Sequence, residues 1–427
     1  MGKKKVLLTN FNILNYSGSE IDTVTIANHF VKLGYDVDIF TLEYGLPLSD
    51  IVNKKVRVII PNEIKKLQDK YDLIWAHHYP LLDYLIFQLK IKAKHIIYIS
   101  LSSFEPLETL PFYYMDLSII GALSEEAIEV LKCQMPRQRD ILVFPNYATK
   151  NYFDYKIKKV QKIKKVCIIS NHVPEELYDF KKIAESNSIV VDIYGIGNIV
   201  KYVDDKLLSD YDVIISIGKT IYYSLAMGKL SYCYDRFGGY GFVTKENIDK
   251  CFKKNFSGRD FGKKMNGEEI YKDIISNYKN ANKELKKVKE FAGEKFDFEK
   301  NIRDVLKLLN NNNIVNCDDI IEKFPMLITK SKLYVESMNC KNNIIRNNRE
   351  EFYREYENMK IKMIKANKRI QETSKEIESI YSSTSWKVSY PIRLIKNVIY
   401  KSLRKLKNNY YKCSFIYKKK QNKVADN

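Results

Sequence analysis

The segment Asp212–Gly241, DVIISIGKTIYYSLAMGKLSYCYDRFGGYG, decides the fold. Its opening run Val213–Ile217 is apolar except at Ser216, the pattern of a strand buried on both faces, and it breaks at Gly218-Lys219-Thr220 just before a helical pattern. A glycine turn and a lysine at a helix start bring free backbone N–H groups, the positive end of the helix dipole and an ammonium to one point, which suits a phosphate. The helical pattern ends at Gly228, a second apolar run Leu230–Tyr234 follows, and Asp235-Arg236-Phe237-Gly238-Gly239 reads as another turn with room for a ligand beside the backbone. Two basic, glycine-bearing loops at the carboxyl ends of neighbouring strands predict a diphosphate crevice. Glycine turns are common at strand–helix junctions, so for this segment alone a purely structural role stays open. GKT is not a P-loop, because the first glycine of that spacing falls at Val213.

Upstream, short apolar runs alternate with polar or helical stretches: Val6–Thr9, Val37–Thr41, Val56–Ile60, Leu73–Ala76, Ile96–Ser100, Leu117–Gly121 and Ile141–Phe144. That alternation predicts a parallel sheet wrapped by helices. After Val6–Thr9 comes a long loop carrying Ser17-Gly18-Ser19 at a helix start, again a geometry for an anion. A second series runs through Val166–Ser170, Val190–Tyr194, Val213–Ile217 and Leu230–Cys233, with helical stretches Gly267–Tyr278, Asn282–Phe291 and Phe298–Leu309 closing it. The expected organisation is α/β: a first Rossmann-like domain over 1–146, a linker over 147–165 and a second Rossmann-like domain over 166–309, the two facing a cleft. A hinge over 310–343 and a C-terminal helical extension follow.

Residues 344–384 are charged, with apolar residues Phe352, Tyr356, Met359, Met363, Ile370 and Ile377 at coiled-coil-like spacing, so the segment reads as a coiled coil, which would make the chain a homo-oligomer, or as a lone solvated helix. The tail, 385–427, holds twelve Lys or Arg against one acidic residue, much of the chain's net charge of +20. Trp386 heads a stripe of Ile392, Ile395, Ile399, Leu403 and Leu406 flanked by Arg393, Lys396 and Arg404, a basic amphipathic helix suited to an anionic membrane surface or to packing on the protein itself. Nucleic acid is not an expected partner: the charge sits in a tail and no nucleic-acid module is visible.

Seven scattered cysteines without a C-x-x-C pair argue for reduced thiols in the cytoplasm and against a zinc site. The basic-then-apolar start is interrupted at Asn10 and Asn12, so it reads as a strand rather than a signal peptide. No run approaches the roughly 20 apolar residues of a spanning helix, so any membrane contact is peripheral, at the inner face.

The two-domain series, the Ser17-Gly18 loop, DLIWAHH (72–78), VFPNY (143–147) and AMGKLSYCYDRFGG (226–239) together resemble GT-B glycosyltransferases, especially glycosyltransferase family 4. SWKVSYPIR (385–393) resembles a motif near the end of many bacterial surface-polysaccharide glycosyltransferases. The resemblance implies a nucleotide diphosphate sugar held mainly by the second domain, a glycan or lipid-linked acceptor held by the first, and no metal or other cofactor. Without a metal, Lys219, with Arg236 and the helix starts at Gly18 and Thr220, would stabilise the leaving diphosphate. Gly218, Gly238 and Gly239 complete the expected donor contacts.

Two departures stand out. The family's paired glutamates, separated by seven residues, fall on Ile215 and Tyr223, and its basic loop after the first strand of the second domain is replaced by SNHVPE (170–175). Either the donor is gripped differently, with Lys219 taking the phosphates and Tyr223 in the glutamate's place, or the chain is a non-catalytic scaffold. His78 is the second catalytic candidate, as a hydrogen-bond donor to sugar or acceptor, or as general base if the reaction inverts. His77, Glu20 and His172 are weaker candidates for substrate contact. Asp36-Val-Asp38 matches a metal-binding D-x-D but enters a strand and reads as structural. The expected activity is transfer to a bacterial surface glycan, with retention.

Overall fold

The computed structural model describes residues 2–102, 104–199, 201–259, 263–310, 314–337, 340–341 and scattered positions between 354 and 379. It divides into two compact units, Met1–Asn342 and Asn343–Asn427. The described positions of the second unit, from Arg354 to Ser379, are helical and exposed. The apolar positions that would make a coiled-coil seam, and the whole tail with Trp386, Arg393, Lys396 and Arg404, lie outside the described residues.

The first unit holds two large sheets and a short parallel pair, Asn12–Ile13 with Glu43–Tyr44. The first contains β1 (Lys5–Thr9), β2 (Asp36–Phe40), β3 (Arg57–Ile59), β4 (Lys70–Ala76), β5 (Lys92–Ser100), β6 (Ile119–Ala122) and β7 (Leu142–Val143). Their order is β3-β2-β1-β4-β5-β6-β7, every pair parallel. The second contains β8 (Lys165–Ile169), β9 (Val190–Tyr194), β10 (Val213–Ser216), β11 (Leu230–Asp235) and β12 (Gly238–Phe242), ordered β9-β8-β10-β11-β12. Each apolar run read from the sequence is one of these strands. Helices cover both sheets, so the strands are buried on two faces and need no polar alternation: β10 and β11 are buried at every position.

The helices that matter below are α1 (Gly18–Lys32), α2 (Glu125–Cys133), α3 (Glu175–Ser186), α4 (Lys219–Met227), α5 (Gly267–Lys295), α6 (Phe298–Leu309) and α7 (Cys317–Lys323). The structure differs from the expected organisation at four places. The two helices expected over Gly267–Phe291 are one, α5, because no Gly or Pro interrupts its buried stripe Ile270, Ile274, Tyr278, Ala281, Leu285 and Val288. Asn282, in its middle, is a tether: its amide bonds both the N–H and the C=O of Val160. Helix α6 does not close the second domain. Phe298, Ile302, Val305 and Leu309 pack in one core with Val6, Leu8 and Trp75 of the first sheet. The expected hinge over 310–343 is likewise packed, with Cys317, Ile320, Leu327 and Val335 in the core beneath β4 and β5.

The chain therefore crosses between the halves twice. The crossings are bonded to each other: Ala148 N–H donates to Phe296 C=O at 2.9 Å, and Phe298 N–H to Ala148 C=O at 3.2 Å. The linker is anchored as well, with Tyr147 buried in the first half and Tyr152 in the second. Two Rossmann-like halves joined by this double crossing, with α6 packed in the first core, agree with the expected GT-B arrangement.

The fourth difference is at Asp235–Gly239. The strand continues to Asp235, Arg236-Phe237 turns, and β12 pairs antiparallel with β11. Gly238 and Gly239 are glycines because backbone crowds them: a Cβ on Gly239 would lie 1.8 Å from the Cys233 carbonyl oxygen, and one on Gly238 2.4 Å from that of Lys263. On the side that a Cβ would occupy, neither leaves room for a ligand. Gly239→Ala should destabilise the fold by about 2 kcal/mol or more through forced overpacking, read as a drop in urea midpoint relative to the parent; an unchanged midpoint would show that the hairpin is not locked in this way.

Candidate active site

In an open parallel sheet the strand order reverses at one place, and the loops leaving the carboxyl ends there diverge to leave a crevice. In the first sheet that place is between β1 and β4; in the second it is between β8 and β10. From β1 comes the loop into α1, from β4 the pair His77-His78, from β8 the loop Ser170–Pro174, and from β10 the turn Ile217-Gly218 into α4.

Lys219, the first residue of α4, reaches from the second half to the first. Its Nζ is 3.2 Å from Asp22 Oδ1 on α1, with the Lys219 side chain 12% and that of Asp22 4% exposed. The ammonium also lies 4.8 Å from the centre of the Tyr147 ring. Burial pushes the Asp22 carboxyl up, but Lys219 and the His77 ring outweigh it and hold it down at about 2. Oδ2 of Asp22 faces Nε2 of His77 at 3.4 Å. His77 Nδ1 lies 2.9 Å from the Ile99 carbonyl oxygen, so that nitrogen carries a hydrogen. Asp22 Oδ2 and His77 Nε2 are both buried, and neither has a hydrogen-bond partner. Thr9 fixes the backbone of His77, its hydroxyl donating to the His77 carbonyl at 3.0 Å and accepting the His77 N–H at 3.2 Å.

His78 is buried, with φ at 62°, an uncommon conformation for a side-chain-bearing residue. Its Nδ1 accepts the Phe11 N–H at 3.2 Å, so the neutral ring carries its hydrogen on Nε2, which faces Glu108 Oε1 at 3.7 Å. Burial, with the neighbouring His77, lowers the His78 pKa to about 3, and burial raises that of Glu108 to about 7. Both ring nitrogens are thus turned into the first half, His78 bracing the loop that follows β1. The general-base reading of His78 loses its footing, because Nδ1 is spent on the backbone and the ring holds a proton poorly.

Glu20 is a staple of that same loop. Its carboxylate accepts the N–H groups of Leu14 and Asn15 and the Ser17 hydroxyl, leaving Gly18 as an uncrowded helix start. Gly218 is the counterpart across the cleft: its φ is 55°, it precedes α4, and a Cβ there would meet no atom within 4 Å. Thr220 stands half-buried in the first turn of α4. Tyr223, one turn further, is buried and stacked on Tyr152 with ring centres 4.3 Å apart, so it is part of the packing of α4. Arg236 is exposed at the hairpin tip, its guanidinium over the Phe237 ring. His172 is exposed beyond β8; its N–H donates to Ser170 Oγ, and its ring acts electrostatically on the Asp235 carboxyl. Asp38 of the D-x-D is closed by both arms of Arg57 and by the Tyr71 hydroxyl, a cross-strand structural role.

The structure thus brings Lys219 and His77 together on Asp22, sets Gly18 and Gly218 at the starts of the two helices that carry Asp22 and Lys219, and leaves Arg236, Gly238 and Gly239 to the hairpin. It adds Asp22 and Glu108, which the sequence reading did not single out, and Tyr147, which it quoted only as the end of VFPNY. It also adds a second bridge across the cleft: Arg259 grips both carboxylate oxygens of Glu126 on α2 and lies 5.0 Å from the Phe104 ring centre. Asp22 had a weak sequence cue, a carboxylate one turn into a helix that starts on glycine. Glu108 had none.

No family model and no curated protein matches the chain. Among solved structures it is similar to WaaG, a glycosyltransferase involved in lipopolysaccharide biosynthesis, at 10% identity and TM-score 0.39 over 67% of this chain and 95% of that one. It is also similar to MurG of Acinetobacter baumannii, at 9% and 0.42 over 72% and 99%, and to TarM, at 16% and 0.36 over 58% and 56%. With each of these TM-scores below 0.5, what the site can do is read from its own residues.

The two shifted groups at His78 give opposite pH slopes. His78 is depressed from 6.5 to about 3, so its contribution is complete above pH 6.5 and is lost as pH falls through that window. Glu108 is raised from 4.5 to about 7, so its folded form is favoured at low pH and penalised as pH rises from 4.5 to 7. His78→Asn removes only the first slope. Between pH 6.5 and 4.5 the variant should therefore gain stability relative to the parent, by at most about 1.4 kcal/mol per pH unit, measured as the difference in urea unfolding free energy at each pH; a difference that does not change with pH would place the His78 ring in solvent.

Proposed function

We propose that the chain is a metal-independent glycosyltransferase that moves a sugar from a nucleotide diphosphate sugar to a bacterial surface glycan, such as capsule, O-antigen or cell-wall polysaccharide, with a glycan or lipid-linked acceptor. One observation carries this reading: Lys219 and the uncrowded Gly218 stand at the start of α4, at the switch point of the second sheet, opposite the start of α1 at the switch point of the first. Backbone N–H groups, helix dipole and ammonium there would bind the diphosphate and stabilise the charge it gains on leaving. Retention is the preferred stereochemistry, since inversion calls for a base and His78 is poorly suited to be one.

The rival reading is a scaffold that keeps the fold without the chemistry. It is favoured by Tyr223, which stands where the family's donor-binding glutamate falls and is consumed in a ring stack. Incubation with a panel of UDP-, GDP- and dTDP-sugars decides. Transfer or hydrolysis should appear with one of them and fall by about 100-fold or more in Lys219→Ala at equal folded fraction. Absence of binding across the panel would favour the scaffold.

The membrane belongs to the same proposal. Among the described residues no helix is long and apolar enough to cross a bilayer. Attachment at the inner face would come from Ser385–Lys407, where each Lys or Arg near anionic lipid adds about 1 kcal/mol and Trp386 with the Ile/Leu stripe adds an apolar part that salt does not screen. Truncation after Ser383 should abolish sedimentation with anionic vesicles and leave nucleotide-sugar affinity unchanged; equal sedimentation of both chains would remove the membrane from the proposal.

A further inference from the structure

The cleft's phosphate candidate is already occupied by a carboxylate. Lys219 Nζ has Asp22 as its anionic partner, and a phosphate at the start of α4 would compete with Asp22 for that ammonium. What would then become of Asp22 is written in the atoms around it. The carboxylate is buried, and its second oxygen faces a ring nitrogen at 3.4 Å. Because His77 Nδ1–H is committed to the Ile99 carbonyl, Nε2 of a neutral ring can offer only a lone pair. Asp22 Oδ2 and His77 Nε2, both buried and without a hydrogen-bond partner, face each other, and with the ring neutral both are acceptors. Lys219 makes this tolerable while it stays.

We propose that Asp22 is a placeholder for the diphosphate, and that when a diphosphate takes Lys219, His77 Nε2 takes up one proton from solvent, keeps it, and through it donates a hydrogen bond to Asp22 Oδ2. The proposal rests on the diphosphate reading above and deepens it: anion binding is coupled to protonation of a buried pair that does not itself touch the sugar. The proton comes from bulk buffer, no bond to carbon is made or broken, and the pair Asp22–His77 ends as an ion pair. Lys219 then spends its charge on the ligand. Asp22 and His77 are positioning residues, acting through Lys219. The groups facing them support this assignment. On α4 they are Lys219 and Tyr223; from the linker, Tyr147, whose hydroxyl lies 3.5 Å from the Asp22 carbonyl oxygen. From the first sheet they are His78 and, on the loop after β5, Glu108. With Lys219 turned away, none of these offers Asp22 a cation, so the proton on His77 is the compensation available inside the first half.

The test is calorimetric titration of the full chain with inorganic pyrophosphate at pH 7.5, in two buffers of different ionisation enthalpy, for the parent, His77→Gln, Asp22→Asn and Lys219→Ala. The difference between chains cancels the probe's own protonation. The parent should take up one more proton per pyrophosphate than His77→Gln, and Asp22→Asn should bind about tenfold more tightly, without the extra proton. Equal uptake in parent and His77→Gln, or weaker binding by Asp22→Asn, overturns the relay while leaving the diphosphate site standing. Failure of pyrophosphate to bind the parent, or equal binding by Lys219→Ala, overturns the diphosphate reading and the relay with it. If a variant does not fold, the ring 15N resonances of His77 in the parent decide. Nε2 should change from unprotonated to protonated on saturation with pyrophosphate, and an unchanged resonance overturns the relay.

Discussion

All strands of the first sheet run one way, and so do four of the five in the second; the position of every loop that carries chemistry depends on that constraint. Parallel pairing obliges the chain to return by a crossover after each strand, so strand starts lie on one edge and strand ends on the other. Glycine-rich starts of α1 and α4 both follow strand ends at a reversal of order. What holds one edge against the other is the double crossing at Ala148 and Phe296–Phe298, bonded backbone to backbone, with α6 buried in the first core. Side chains could mutate around that crossing without moving the two edges apart.

The bridges over the cleft are of different character from the cores. Exposed pairs such as Lys272–Glu268 on α5 are worth little, because water competes for both ends. Lys219–Asp22 is buried, so breaking it from one side strands a charge, which typically costs about 3–5 kcal/mol. Arg259–Glu126 is half-buried and backed by the Phe104 ring. Both bridges join groups that a charged ligand could replace, whereas the interdomain contact at α6 is apolar and has no such substitute.

The strands were legible because a strand buried on two faces writes itself as an unbroken apolar run, from Val6 to Cys233. The last strand of the second sheet was not. Gly238 and Gly239 read as a turn open to ligand, while in the fold they are demanded by backbone contact with Cys233 and Lys263. Helix α6 was legible as a helix but not in its partner, since the stripe Phe298, Ile302, Val305 and Leu309 fits either core. In the site, Lys219 and Gly218 follow from local order along the chain. Asp22 and Glu108 do not, because what makes them notable is a partner 197 residues away for the first and burial beside His78 for the second. Local patterns carry no record of such pairings.

Tyr223 and Asp22 belong to one balance of charge. Burial pushes the pKa of the Tyr223 hydroxyl up, and the Asp22 carboxylate adds to the rise, so the ring stays neutral and the two side chains feel each other across the cleft. A glutamate at 223 would place a second carboxylate in that space, with one lysine between them, and like charges so close cannot both stay ionised. A chain that keeps Asp22 against Lys219 is therefore better served by a neutral ring at 223, and the stack on Tyr152 fills the volume with apolar surface. A carboxylate thus stands on α1 and meets the lysine of α4, and a neutral ring stands at 223.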